Sequence, residues 1–147
     1  MASEIYRERV LANFRPTASE KAARKPRRWT HNRPGMSDDH LAMIRRMQCT
    51  VCHQRNWLHA HHLTGGVARL HRGVSFKAPD KFTVPLCSPH HADLHTYGSR
   101  REAAWFAAFG VDPYSLAEGL WNRKGDAAAM ARVLLAHQLE ASTRRFK

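Results

Sequence analysis

The sequence predicts a small α+β fold stapled by a metal ion, on three observations. Two pairs of matched spacing, Cys49-Thr-Val-Cys52 and Cys87-Ser-Pro-His90, offer the two-residue separation from which tight turns present ligands to tetrahedral Zn²⁺. A short apolar run, Phe82-Thr-Val-Pro-Leu86, reads as a strand directly before the second pair, with Pro85 implying an edge position. Segments of helical apolar spacing lie on both sides of this region. At 147 residues the chain has length for one core and an extra helix or two.

Taken in order, residues 1–14 place Ile5, Val10, Leu11 and Phe14 as the partial stripe of a short helix that Pro16 stops. From Lys21 to Pro34 there are six Lys or Arg and no acid, so residues 1–35 read as a basic, flexible arm. A solvated tail and an arm lying on phosphate backbone through Arg24, Lys25, Arg27 and Arg28, with Trp29 for stacking, fit that composition equally. Ser37 is a plausible N-cap, followed by Asp38 and Asp39 at the positive end of a helix whose face of Leu41, Ile44 and Met47 runs into Cys49. Residues 64–79, with Gly65, Gly66, Gly73 and Pro79 among Arg69, Arg72 and Lys77, predict a long basic loop. After the strand, Ser88 is expected to cap a helix with Pro89 in its first turn. Residues 99–109 then give a helical pattern of Ala103, Trp105, Phe106 and Phe109 that Gly110 ends. Asp112-Pro113 restarts a helix through Leu116, Leu120 and Trp121, and Asp126 opens a last, Ala-rich one ending in a basic tail. The expected organisation is thus an arm (1–35), a metal-bound core with flanking helices (36–122), and a C-terminal helix and tail (123–147).

A net charge of +12 and a pI near 10.6 point to a polyanionic partner, for which nucleic acid is the default. No run approaches the ~18 apolar residues of a spanning helix, and the opening residues lack a signal peptide's apolar region, so an intracellular protein is expected. Three cysteines in a reducing compartment argue for metal ligation over a disulfide framework. Cys49, Cys52, Cys87 and His90 would close the shell of a structural Zn²⁺, with His53 and His59 as rivals for the fourth place. Eight of the eleven histidines lie between Cys49 and His95, and they define a second set. His91 and His95, four apart on a helix, share one face, and a third ligand from His61 would complete an open site for a divalent ion. Its neighbour His62 falls on the opposite side of an extended segment, free to act as a base near neutral pH.

With both sets in view, the region from Cys49 to His95 resembles the HNH, or ββα-metal (His-Me finger), nucleases. Cys49-x-x-Cys52, His61-His62, Cys87-x-x-His90-His91 and His95 fall in that superfamily's order. The likeness extends to small phage and prophage HNH proteins, and to the related recombination-enhancement nucleases. It runs through Asp39-His-Leu-Ala-Met-Ile-Arg-Arg-Met-Gln-Cys49, Lys77-Ala-Pro-Asp-Lys-Phe-Thr-Val-Pro-Leu-Cys-Ser-Pro-His-His91, and Val111-Asp-Pro-Tyr-Ser-Leu-Ala-Glu-Gly-Leu-Trp121. The resemblance implies a ββα-metal core, a structural Zn²⁺, and a catalytic Mg²⁺ or Mn²⁺ on His61, His91 and His95, a site that would also accept Zn²⁺. It implies His62 as general base in hydrolysis of DNA phosphodiesters, without marked sequence specificity, inside a phage-bearing bacterial cell alongside replication or recombination proteins. RNA would be open to the same chemistry. Arg69, Arg72 and Lys77 would join the arm on the phosphate backbone. One position departs from the pattern: where the superfamily's middle Asn is expected, five residues before the third thiolate or imidazole of the zinc set, stands Phe82. Asp80 or a backbone carbonyl could take over its task of orienting the base, although Asp80 also suits a local cap. The rival function is a zinc-stabilised nucleic-acid-binding accessory protein that never cleaves.

Overall fold

The computed structural model describes residues 34–71 and 77–145. The expected helix in residues 1–14, the cations Arg24, Lys25, Arg27 and Arg28, and Arg72 lie outside these. The class is α+β: one two-stranded sheet among six α-helices in the described residues.

Ser37 is extended and its hydroxyl accepts the His40 amide at 3.2 Å, which starts α1 (Asp38–Ile44) with two acids in its first turn. This helix stops earlier than its apolar spacing suggests. Met47 packs against the core from the turns that follow Ile44, and these turns deliver Cys49. Strand β1 (Leu58–His62) then pairs antiparallel with β2 (Thr83–Cys87), placing His61 opposite Val84 and His62 opposite Thr83. Pro85 is accommodated because a sheet of two strands has only edges. Its carbonyl is used, accepting from the Thr50 amide at 3.0 Å and the Thr50 hydroxyl at 2.9 Å, so the Cys49–Cys52 turn closes that edge.

Between the strands, the predicted loop contains a short helix, α2 (Gly66–Leu70), and a 3₁₀ turn over Asp80–Phe82 follows the loop. Phe82 therefore ends a turn instead of starting the strand. Strand β2 runs directly into α3 (Ser88–Tyr97), and here the expected cap shifts by one residue. Cys87 is the N-cap, while the Ser88 hydroxyl turns away to His59 Nε2 (2.8 Å) and the Trp57 carbonyl (3.2 Å). A 3₁₀ turn over Ser99–Arg101 leads to α4 (Glu102–Ala108), then α5 (Pro113–Asn122) and α6 (Ala127–Arg145). The Asp112 carboxylate accepts the Tyr114 and Ser115 amides, and Asp126 accepts the Ala129 amide at 2.9 Å, so both helices start where the sequence suggests.

The core sits where the sheet meets these helices, with Ile44, Leu63, Leu86, Phe106, Leu116 and Leu120 fully buried. Helix α3 is tied down by a 2.7 Å hydrogen bond from Trp105 Nε1 to the Asp93 carboxylate. No helix among the described residues is long and apolar enough to cross a membrane.

Candidate functional site

The cysteine set gathers at the junction of the Cys49–Cys52 turn with the start of α3. Cys52 and Cys87 Sγ are 3.6 Å apart, and His90 Nδ1 lies 3.1 Å from Cys87 Sγ and 3.7 Å from Cys49 Sγ. Ligands at ~2.3 Å for sulfur and ~2.0 Å for nitrogen around one tetrahedral ion stand about this far from each other, so the four could hold a metal such as zinc. The thiols share their protons unevenly. A hydrogen bond from Cys87 holds the Cys49 thiol well below its ordinary value, whereas Cys87 is pushed up by that same bond and Cys52 by burial. A cation in their midst would replace those protons. Of the rivals for the fourth place, His59 faces Ser88 and the ring of His91, and His53 is exposed with φ +63 at the end of the turn.

Alternation along β1 puts His59 and His61 on one face and His62 on the other. The first face meets α3. There, His61, His91 and His95 bring one nitrogen each within 4.8 Å of one another. The Nε2 atoms of His91 and His95 are 3.2 Å apart, close to the separation of two nitrogens ~2.0–2.1 Å from a single zinc-like ion. Burial, then the neighbouring His61, His59 and His95, lower His91 to about 3, so it stays a neutral imidazole with a lone pair to offer. By donor chemistry and spacing this set too could hold an ion. Its outer ligand, His95, is exposed, and His61 is 4% exposed.

On the other face, His62 Nε2 lies 2.8 Å from Asp80 Oδ1. The carboxylate is 1% exposed, and its Oδ2 accepts the Ser37 amide at 2.8 Å, directly before the first turn of α1. Its position is held further by the Thr83 hydroxyl, which donates to the Asp80 carbonyl at 2.7 Å. Asp80 thus reaches the His62 imidazole, and Phe82 packs its ring against His71 and Lys81. The Phe82 carbonyl accepts the Leu63 amide at 2.9 Å. Residues 61 and 62 therefore part company: one joins the histidine cluster, the other a His–carboxylate pair.

Glu102 belongs to this site and sequence reasoning missed it. The first residue of α4, it is 1% exposed with Oε1 2.9 Å from His61 Nε2. The Thr64 hydroxyl donates to Oε1 at 3.0 Å, and the Thr64 and Gly65 amides donate to Oε2 at 2.8 and 2.9 Å. Burial pushes its carboxyl up, but the bonds from His61 and the two amides outweigh that and hold it below the usual value, hence ionised. A readable signal existed: Glu102, Trp105 and Phe106 lie on one helical face, and an acid on an otherwise apolar stripe must have partners. His59 is a second addition, its ring stacked on His91 at 4.7 Å. Of the predicted phosphate-binding cations, Arg69 on α2 and Lys77 beyond it are both exposed.

Among known proteins, the chain matches a family model described as a protein of unknown function, DUF968, over residues 9–122. Neither the curated proteins nor the solved structures contain a match.

Proposed function

We propose that this chain, which belongs to the DUF968 family of proteins of unknown function, is a metal-dependent DNA endonuclease built on a ββα-metal (HNH) core, of phage or prophage type. The observation that carries the reading is the split of the histidine doublet across β1. His61 meets His91 and His95 on α3, and His62, on the other face, pairs with Asp80 at 2.8 Å. A buried carboxylate on Nε2 keeps the proton there, leaving Nδ1 of His62 with a lone pair to take a proton from an attacking water. As that proton arrives, Asp80 stabilises the imidazolium, and the Ser37 amide keeps Asp80 in place. An ion held by His61, His91 and His95 would supply charge stabilisation to the scissile phosphate and the leaving oxygen. Mg²⁺ and Mn²⁺ are the expected working ions, although three imidazoles favour Zn²⁺ in affinity. The four-ligand cysteine set leaves no open position and is read as structural. Exposed Arg69 and Lys77, with the basic N-terminal residues, supply phosphate contacts that carry no sequence preference.

The test is conversion of supercoiled plasmid to nicked or linear DNA with Mg²⁺ or Mn²⁺, comparing wild type with His62→Ala after circular dichroism shows both folded. Cleavage by wild type alone is the expected result. A wild type that retards the plasmid at low salt but never cuts it would replace the enzyme with a zinc-stabilised binding protein.

A further inference from the structure

We infer that Glu102 is a positioning residue of the histidine site: it fixes His61 as the Nε2–H tautomer, so that Nδ1 is the atom His61 offers an ion, and it ties that ligand to the segment that begins α2. The inference rests on reading His61, His91 and His95 as an ion site. It concerns only this chain's own protons and hydrogen bonds.

An ionised carboxylate accepts and cannot donate, with about four lone-pair positions. Three of the four groups on Glu102 are donors: the Thr64 amide, the Gly65 amide and the Thr64 hydroxyl. The fourth contact, 2.9 Å to His61 Nε2, can be a hydrogen bond only if that nitrogen carries the proton. In a neutral imidazole the remaining lone pair is then on Nδ1. His91 and His95, by contrast, approach each other through Nε2 at 3.2 Å. The three rings are therefore not equivalent, and the strand ligand is singled out by a carboxylate behind it.

The same carboxylate anchors Thr64 and Gly65, and a side chain at either Gly65 or Gly66 would run into Tyr114. A Cβ on Gly65 would stand 2.9 Å from the Tyr114 hydroxyl and 3.6 Å from Glu102 Oε2. On Gly66, with φ +49, it would stand 2.6 Å from Tyr114 Cζ. Thr64-Gly65-Gly66 is thus pressed between Glu102 and Tyr114, and α2, with Arg69, starts from that clamp. Ligand orientation and the origin of the basic segment depend on one side chain.

Glu102→Gln separates these roles. An amide oxygen turned to the two backbone amides keeps the clamp, but its NH₂ then faces His61, which must accept through Nε2 and move its proton to Nδ1. The experiment uses the full chain with zinc in the cysteine set. Imidazole ¹⁵N correlation spectra without added Mn²⁺ read the His61 tautomer, and loss of the free Mn²⁺ paramagnetic resonance signal reads ion binding. Nε2–H in wild type, Nδ1–H in Glu102→Gln, unchanged zinc content and Mn²⁺ binding weaker by about 10–100-fold are expected. The inference is overturned if wild-type His61 carries its proton on Nδ1, or if the variant binds Mn²⁺ as tightly as wild type. The wild-type spectrum decides the tautomer even if the variant does not fold. A wild type that binds no Mn²⁺ at the histidines overturns the ion reading and this inference together. A protein that binds Mn²⁺ with the expected tautomers yet never cuts DNA supports the inference and removes only the nuclease.

Discussion

His40 should make this protein acid-sensitive well above the ordinary carboxylate range. It lies on α1 with 1% of its surface exposed, its ring edge-on to Trp121 at 5.0 Å, and neither ring nitrogen has a hydrogen-bond partner among the described residues. Burial lowers its pKa from 6.5 to about 4, partly offset by the charge of Asp80 and reinforced by Lys124 and His62. The folded protein therefore holds it neutral while the unfolded chain protonates it as pH falls through 6.5. Stability is present in full above that value, is lost progressively on the way down, and the loss levels off below about pH 4. Linkage between those two values gives about 2 kcal/mol lost between pH 7 and 5, and about 3 kcal/mol by pH 4. The perturbation is His40→Phe, which keeps the ring contact with Trp121 and removes both unpartnered nitrogens. Urea unfolding of both proteins at pH 7, 6 and 5 is the assay. With m near 2 kcal/mol/M, the midpoint gap should move by about 1 M in favour of the variant between pH 7 and 5. Proton competition at the cysteine and histidine sets is common to both proteins and cancels in the difference. Parallel pH profiles would refute the reasoning, because they would mean that His40 is protonated, or hydrated, in the folded state.

Three further outcomes follow from the same geometry. Chelation should lower the wild-type Tm by about 10 °C or more, while Cys87→Ala, already short of one ligand, should start low and respond little; equal responses would argue against a structural ion on the cysteine set. Under the proposed mechanism, Asp80→Asn should reduce plasmid cleavage by about 100-fold or more without unfolding the chain, because an amide NH₂ facing His62 Nε2 drives the proton to Nδ1 and removes the lone pair assigned to the proposed base. Gly110→Ala puts a Cβ 2.8 Å from the Ala141 carbonyl oxygen at φ +72, whereas Gly125→Ala meets nothing among the described residues within 4 Å at φ +89. Urea midpoints should show Gly125→Ala costing about 1 kcal/mol for its backbone conformation, and Gly110→Ala distinctly more.

What could be read from the sequence was whatever a short spacing fixes. CxxC and CxxH pairs, HxxxH on a helix and an Asp-Pro helix start are all decided within four residues, and the structure gathers each of them. The N-cap of α3 is Cys87 instead of the expected Ser88, because the Ser88 hydroxyl bonds to Trp57 and His59, some thirty positions away. Glu102 eluded the reading for the same reason: it meets His61 across 41 residues, and no local pattern names that partner. A weaker signal was present all the same. His40, Glu102 and Gln138 each stand on a helical stripe beside core residues, Ile44, Trp105 with Phe106, and Leu134 respectively, and each is at most 3% exposed. A polar side chain so placed is costly unless bonded, so its presence demands an explanation that its neighbours in sequence cannot provide. Gln138 has one, donating to the Cys49 carbonyl at 3.1 Å and accepting from Gln48 at 2.7 Å, which fastens the last helix to the cysteine turn. Glu102 has four partners around the histidine site. Among the described residues, His40 alone of the three has none for either ring nitrogen. It is therefore the one of these positions where an apolar ring should be tolerated at neutral pH and preferred in acid, and where a folded chain that keeps the histidine has given up stability it could have had.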